Sequence, residues 1–111
     1  MNIVVLQGTL SKEPLERTLP SGANVMSWDV ATETEAGRRT VPVQWDEPSK
    51  RVCAYSEGDE VIVLGEIRRR FYRAGGSTSA STEVLGAEVA KPSQKATVAR
   101  MLDRAISVLS S

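Results

Sequence analysis

The chain has 111 residues, of which 41% are apolar and 25% are charged, and its 14 basic and 14 acidic side chains leave no net charge. This length fits one domain with a modest hydrophobic core. Zero net charge argues against a protein that coats nucleic acid through bulk charge, so any anion binding must come from local clustering.

Several kinds of chemistry are excluded by the residue types. Histidine is absent and Cys53 is the single cysteine, which excludes a disulfide within the chain, His-dependent catalysis and metal sites built from His or thiolates. The acidic doublets Asp46-Glu47 and Asp59-Glu60 lie beside Pro or Gly, as solvated turn residues do. We therefore expect no enzyme activity, no cofactor and no metal, and we expect Cys53 to be a small buried residue.

The amino-terminal sequence and the hydropathy pattern indicate where in the cell the protein is expected. The first residues have no basic lead and no long apolar stretch, so they do not resemble a signal peptide. No apolar run approaches the roughly 20 residues that span a bilayer. Together with the lack of disulfide potential, this predicts a cytoplasmic protein without a membrane partner.

The first half of the chain predicts three β-strands. Residues 2–10 form a β-branched run interrupted by Gly8, and a glycine inside a strand indicates a bulge or a bend. Residues 14–19 can continue as a short strand. Residues 24–32 and 38–45 alternate between apolar and polar side chains, which predicts the second and third strands.

The second half predicts a helix, two further strands and a terminal helix. Residues 48–56 lack alternation and begin with proline, which is compatible with a short helix. Residues 60–73 and 81–90 predict two strands joined at a Gly-rich hairpin tip. Apolar side chains recur at helical spacing in residues 93–109, which predicts an amphipathic helix.

Five strands with a helix between the third and the fourth are the layout of the OB-fold, a five-stranded Greek-key barrel. We therefore predict an all-β fold with accessory helices. Residues 1–92 are expected to form the OB-fold domain. Residues 93–111 are expected to be a C-terminal helix that packs on this domain or serves in association.

Four stretches occur in an order and spacing that are typical of one protein family. They are MNIVVLQGTLSKEPLERTLPSG at residues 1–22, VMSWDVAT at 25–32, EGDEVIVLGEIRRR at 57–70 just after Tyr55, and TEVLGAEV at 82–89. With these residues the chain resembles the bacterial single-stranded DNA-binding protein family over about residues 1–90. The resemblance implies an OB-fold that binds single-stranded DNA with little sequence preference, in replication, repair or recombination. It also implies a homo-oligomer, dimer or tetramer, that is associated with the nucleoid when bound to DNA.

The resemblance and the strand pattern together predict the binding residues. Single strands are held by basic side chains along the phosphates and by aromatic faces under the bases. Trp45 and Tyr72 stand at two of the family's aromatic positions. The family usually carries two further tryptophans, in the turn after its second strand and at the start of its third, where residues 33–37 and 38–41 have no aromatic side chain, and Arg38 and Arg39 are expected to stack or to bind phosphate instead. Alternation on the fourth strand places Arg68, Arg70 and Tyr72 on one face and Arg69, Phe71 and Arg73 on the other. The predicted nucleic-acid-binding residues are Arg38, Arg39, Trp45, Arg68, Arg70, Phe71, Tyr72 and Arg73.

Two alternatives to this prediction stay open. The arginines of the fourth strand could instead pair with Glu66, Glu83 or Glu88 on a solvated β-ribbon. The chain also lacks the family's Gly- and Pro-rich tail with its acidic tip, so recruitment of repair enzymes through such a tail is not expected. A member without that tip, and with two aromatic positions missing, could be an OB-fold protein-interaction module or complex subunit with weak or no DNA binding.

Overall fold

A computed structural model describes residues 1–110, and the side chains of residues 1–73 and 75–109. The elements it contains follow the predicted order, with residues 14–19 forming a separate short strand. The strands are β1 (Val4–Leu10), β2 (Leu15–Thr18), β3 (Asn24–Thr34), β4 (Gly37–Asp46), β5 (Glu60–Ala74) and β6 (Ser77–Ala90), and the helices are α1 (Lys50–Cys53) and α2 (Lys95–Ser110).

Five of the strands close into a barrel, as predicted. The order is β1-β5-β6-β4-β3-β2, and an additional pairing between β1 and β3 closes the ring while β2 extends β3 at the side. β1 pairs with β5 up to Thr9 and with β3 at Thr9 and Leu10. Gly8 lies at this change of partner, where an added Cβ would be 2.2 Å from the carbonyl oxygen of Ala31. Its lack of a side chain therefore permits the corner, in agreement with the predicted bend.

The barrel interior is filled by aliphatic side chains around an aromatic cluster. Trp28 and Val30 of β3 are at most 1% exposed. The ring of Trp28 lies 5.0 Å from that of Trp45 and 5.4 Å from that of Tyr55. The three rings come from β3, β4 and the segment after α1, so their packing holds these three parts of the chain together. Each large apolar side chain contributes about 1.5–3 kcal/mol to stability when it is fully buried.

Helix α2 covers part of the outer surface of the barrel. Its residues Met101 and Ala105 form a second buried cluster with Leu64 of β5 and Ala90 of β6. An ion pair between Arg104 and Glu88 joins the same helix to β6. Within residues 1–110, neither helix is long and apolar enough to cross a membrane.

Beyond the barrel, β5 and β6 continue as a two-stranded ribbon. The pairing runs from Arg68 opposite Glu83 to Ala74 opposite Ser77. The return strand therefore begins at Ser77, four residues earlier than the predicted start at residue 81. We refer to residues 68–83 as the arm.

The prediction that Cys53 is buried is wrong. Cys53 is exposed, whereas the neighbouring Val52 is 5% exposed and faces the core. The helix α1 has a single turn, so one side chain points inward and its neighbour, about 100° further round the helix, points to solvent.

Candidate nucleic-acid interface

A groove lies at the start of β3 and the end of β4, between the β2–β3 hairpin and the arm. It has a volume of about 430 Å³. The hairpin contributes Arg17 and residues up to Val25, the end of β4 contributes Gln44, Asp46 and Glu47, and the arm contributes Arg68, Arg69 and Arg70. Four arginines therefore face two carboxylates in this groove.

An ion-pair network fixes the arginines at the base of the arm. The Nη2 atom of Arg68 donates to Oε2 of Glu83 at 2.7 Å, and Nη1 donates to Oδ2 of Asp46 at 2.9 Å. Nε of Arg70 lies 3.4 Å from the other carboxylate oxygen of Glu83. The pKa of Arg68 is raised, first by its hydrogen bond to Glu83 and then by that to Asp46. Arg68 is therefore both charged and held in one orientation.

This network agrees in part with the alternative raised in the sequence analysis, in which arginines of the arm pair with acidic residues of the same chain. Glu83 is 5% exposed and accepts from one arginine while pairing with a second. Glu88 pairs instead with Arg104 of α2. Within residues 1–110, Arg17, Arg69 and Arg73 have no ion pair with a carboxylate. The groove thus keeps cationic side chains that are not neutralised within the chain.

Tyr72 is an exposed aromatic side chain of the arm, two residues beyond Arg70, which lines the groove. It shares a face with Arg68 and Arg70, because residues two apart on a strand point to the same side. It is 46% exposed and lies opposite Ser79, which is small. A base can therefore approach the ring without moving a large neighbour.

The opposite face of the arm carries Phe71 and Arg73. Phe71 is 66% exposed, and the guanidinium of Arg69 lies 5.5 Å from its ring centre. Its cross-strand neighbour is Ala80. The arm is therefore an arginine-aromatic ribbon on both faces, and it borders the groove at Arg68, Arg69 and Arg70.

Trp45 lies in the core, which disagrees with its predicted role as a stacking platform. It is 3% exposed, packs edge-on against Trp28, and has its ring under Gly86, where an added Cβ would be 2.7 Å from three ring atoms. In this conformation no base can reach the ring. The alternation of β4 gives the reason, because Trp45 shares the inward face with Val43.

Arg38 and Arg39 are exposed but lie away from the arm. They pair across the β3–β4 hairpin with Glu33 and Thr32. Seven residues separate Arg39 from Asp46 on β4, which corresponds to about 23 Å along a strand. The structure therefore brings Arg68, Arg70 and Tyr72 together and leaves Arg38 and Arg39 at the far end of the same sheet.

The architecture defines the class of protein. A closed five-stranded barrel, with a helix after its third strand, is an OB-fold. OB-folds bind oligonucleotides on the face of their second and third strands and on the flanking loops, and here those strands are β3 and β4. The groove lies at the start of β3 and the end of β4 and is bordered by the arm.

Comparison with known proteins gives the family. The model of the single-strand binding protein family matches residues 1–91, and the chain belongs to that family. Binding of single-stranded DNA is the general property of its members. No curated protein matches the chain.

Proposed function

We propose that this protein binds single-stranded DNA with little sequence preference, through the groove and the adjoining arm. The observation that carries the proposal is that Arg68 and Arg70, which line the groove, share one face of the arm with the exposed ring of Tyr72. Cationic side chains beside an open aromatic face are what a flexible strand requires, because its phosphates and its bases lie side by side.

Each part of this surface has a different role. The guanidinium groups of Arg17 and Arg70 contact phosphates, and Arg68, oriented by Glu83, contributes positive potential at the groove floor. Tyr72 stacks on a base, an interaction worth about 1–3 kcal/mol. Stacking and backbone contacts are tolerant of sequence, since every base has an aromatic face.

The remaining predicted residues extend the surface. Phe71 and Arg73 on the opposite face of the arm offer a further stacking and phosphate contact. Arg38 and Arg39 track the backbone where the strand reaches the β3–β4 hairpin. The proposed setting is DNA replication, repair or recombination in the cytoplasm, associated with the nucleoid. The protein acts there as a non-enzymatic homo-oligomer.

Fluorescence polarisation with a labelled oligothymidine of about 35 nucleotides tests the proposal. We expect binding at low salt, and a linear fall of log K with log salt whose slope is about −0.7 for each neutralised phosphate. A mixed-sequence strand of equal length should bind within a few-fold, and a duplex of that length should bind more weakly. No binding of either single strand at low salt would contradict the proposal.

A second candidate, a protein-interaction module or complex subunit, is favoured by apolar side chains in solvent. Leu15, Phe71 and Leu109 are 58%, 66% and 59% exposed. Arg68 is also partly neutralised within the chain. Light scattering on the purified protein, with and without oligothymidine, separates the two candidates. A stable complex with another protein and no response to DNA would favour the second.

A further inference from the structure

Positive charge is divided unevenly between the barrel and the helical segments. Residues 48–56 and 91–110 together contain one acidic residue, Asp103. They contain six of the 14 basic residues, namely Lys50, Arg51, Lys91, Lys95, Arg100 and Arg104. The rest of the chain holds eight basic and thirteen acidic residues. The barrel is therefore acidic as a whole, and the side of the molecule that bears α1 and α2 is basic.

Three arginines of this basic side converge on one cleft. The cleft lies between α1 and α2, has a volume of about 280 Å³, and is lined by Arg51, Arg100 and Arg104. Glu88 is the one carboxylate among the described residues that line it, and it is paired with Arg104. Within residues 1–110, Arg51 and Arg100 have no carboxylate partner.

The cleft has the donors that a phosphate group requires. Guanidinium groups present N–H donors in a planar fork that matches phosphate oxygens. Nη2 of Arg100 donates to Oγ1 of Thr97 at 3.2 Å, which positions its side chain along α2. Two guanidinium groups that line one cleft without a carboxylate partner repel each other. An anion bound between them would offset that repulsion.

The groove and the cleft are lined by residues that are close together in the sequence. Glu47 lines the groove, and Ser49, two residues later, lines the cleft. Two residues span at most about 7 Å. Both carboxylates at this end of the groove are engaged within the chain, because that of Asp46 accepts from Arg68 and that of Glu47 accepts from the backbone N–H of Asn24. A strand that leaves the groove at this end therefore reaches the cleft within a short distance.

We propose that the cleft between α1 and α2 is a second phosphate-binding site, which receives the backbone of the same single strand after it leaves the groove. Arg51 and Arg100 contact the phosphodiester oxygens, while Arg104 stays with Glu88. The identity of the strand rests on the proposed function, whereas the anion-binding character of the cleft stands on its own geometry. The family match ends at residue 91 and does not cover α2.

Oligomers of two lengths test this site in the full chain. A strand of about 8 nucleotides fills one OB-fold groove, and one of about 30 extends beyond it. In R51Q/R100Q we expect unchanged affinity for the short strand. For the long strand we expect weaker binding and a salt slope reduced by about 1.4, as for two lost phosphate contacts. The control R51K/R100K keeps both charges and should retain most of the slope.

The other outcomes also decide the matter. Equal salt slopes for R51Q/R100Q and the parent on the long strand would overturn the proposal. The side chain of Arg51 also hydrogen-bonds to Tyr55. Replacing Arg51 could therefore also lower the stability of the fold. In that case R100Q alone, which leaves Arg51 in place, should still show about half of the loss in the salt slope.

An anion titration separates this proposal from the proposed function. Amide resonances of Thr97 and Arg100 should shift with pyrophosphate, and should shift with the long strand but not with the short one. If the parent binds no DNA, the proposed function fails, and the pyrophosphate response alone decides whether the cleft binds anions. The long strand could bind the protein without shifting these resonances, while pyrophosphate does shift them. That result would overturn the proposal that the strand passes through the cleft, and it would favour an anionic protein as the partner of the cleft.

Discussion

The guanidinium of Arg68 and the buried carboxylate of Glu83 lie 2.7 Å apart, directly opposite each other where the arm leaves the barrel. Glu83 is 5% exposed, and its carboxylate faces both this partner and Arg70. A buried carboxylate is tolerated only where it is paired and hydrogen-bonded. The proposed DNA-binding surface is therefore built on an ion pair that also has a structural role.

Glu83→Gln should lower the stability of the protein. The neutral amide loses the charge-assisted hydrogen bond from Arg68 and the ion pair with Arg70. A hydrogen bond to a charged group is worth about 1.5–3 kcal/mol in the free energy of unfolding. Urea unfolding followed by circular dichroism measures the change. Asp46→Asn is the matched control, because that carboxylate is 52% exposed and should contribute less than about 1 kcal/mol. Equal stability of Glu83→Gln and the parent would contradict the structural role.

Asp46→Asn should strengthen binding of oligothymidine. Asp46 competes with phosphate for Nη1 of Arg68 at the edge of the groove. Removing this exposed carboxylate should improve affinity by about two- to fivefold, equivalent to about 0.4–1 kcal/mol. Polarisation titrations at low salt measure it, and the gain should shrink at high salt because the effect is electrostatic. A loss of affinity would show that Asp46 orients Arg68 for binding.

Tyr72→Ala should weaken binding by about five- to 150-fold, since a stacked base contributes about 1–3 kcal/mol. Tyr72→Phe keeps the aromatic face and should bind within a few-fold of the parent. Phe71→Ala removes the ring on the opposite face of the arm and tests whether that face also contacts the strand. A larger loss in Phe71→Ala than in Tyr72→Ala would place the main contact on that opposite face.

Gly86→Ala should destabilise the barrel without touching the groove. The new Cβ would lie 2.7 Å from three ring atoms of Trp45, so the ring must shift within a packed core. Overpacking of this kind costs about 1–3 kcal/mol in the free energy of unfolding. Thermal unfolding by circular dichroism measures the loss. Addition of Trp45→Phe should restore part of it, whereas the absence of any rescue would mean that the clash is relieved elsewhere.

Stability should fall at high pH because of Tyr55. Burial, opposed by Arg51 and assisted by Asp59, raises the pKa of its phenol above the usual value of 10.0. The folded state then holds the proton more tightly than the unfolded state, so this stabilisation is complete below pH 10.0 and is lost as the pH rises through the folded-state pKa. Urea unfolding at about pH 8 and about pH 11 measures the decrease. Tyr55→Phe should reduce it, and Tyr72→Phe, which removes an exposed phenol, should leave it unchanged.

Much of the fold could be predicted from local sequence patterns. Alternation along residues 24–32 and 38–45 predicts strands whatever their partners are, and helical spacing in 93–109 predicts α2. The order of these elements then limits the topology to few solutions. The predicted return strand is four residues too short, because residues 77–80 are small and, apart from Ala80, polar. Such residues give no alternation signal, and they are held in a strand by pairing with β5.

The site was harder to predict, because its chemistry depends on contacts between distant residues. The sequence indicates that Trp45 shares a face with Val43. Only the approach of Gly86, from a different strand, shows that this face is closed. The burial of Glu83 likewise depends on the register that sets it opposite Arg68. The arginine-aromatic cluster at residues 68–73, by contrast, could be predicted, because its residues are adjacent in the sequence.

Both tryptophans of the chain, Trp28 and Trp45, belong to one buried ring cluster, with exposures of 1% and 3%. Their intrinsic fluorescence therefore reports whether the barrel is folded and is insensitive to what occupies the outer surface. A titration with DNA that leaves the emission unchanged is no evidence against binding. Substituting tryptophan for Tyr72 would place an emitter on the arm itself and make occupancy of the groove visible.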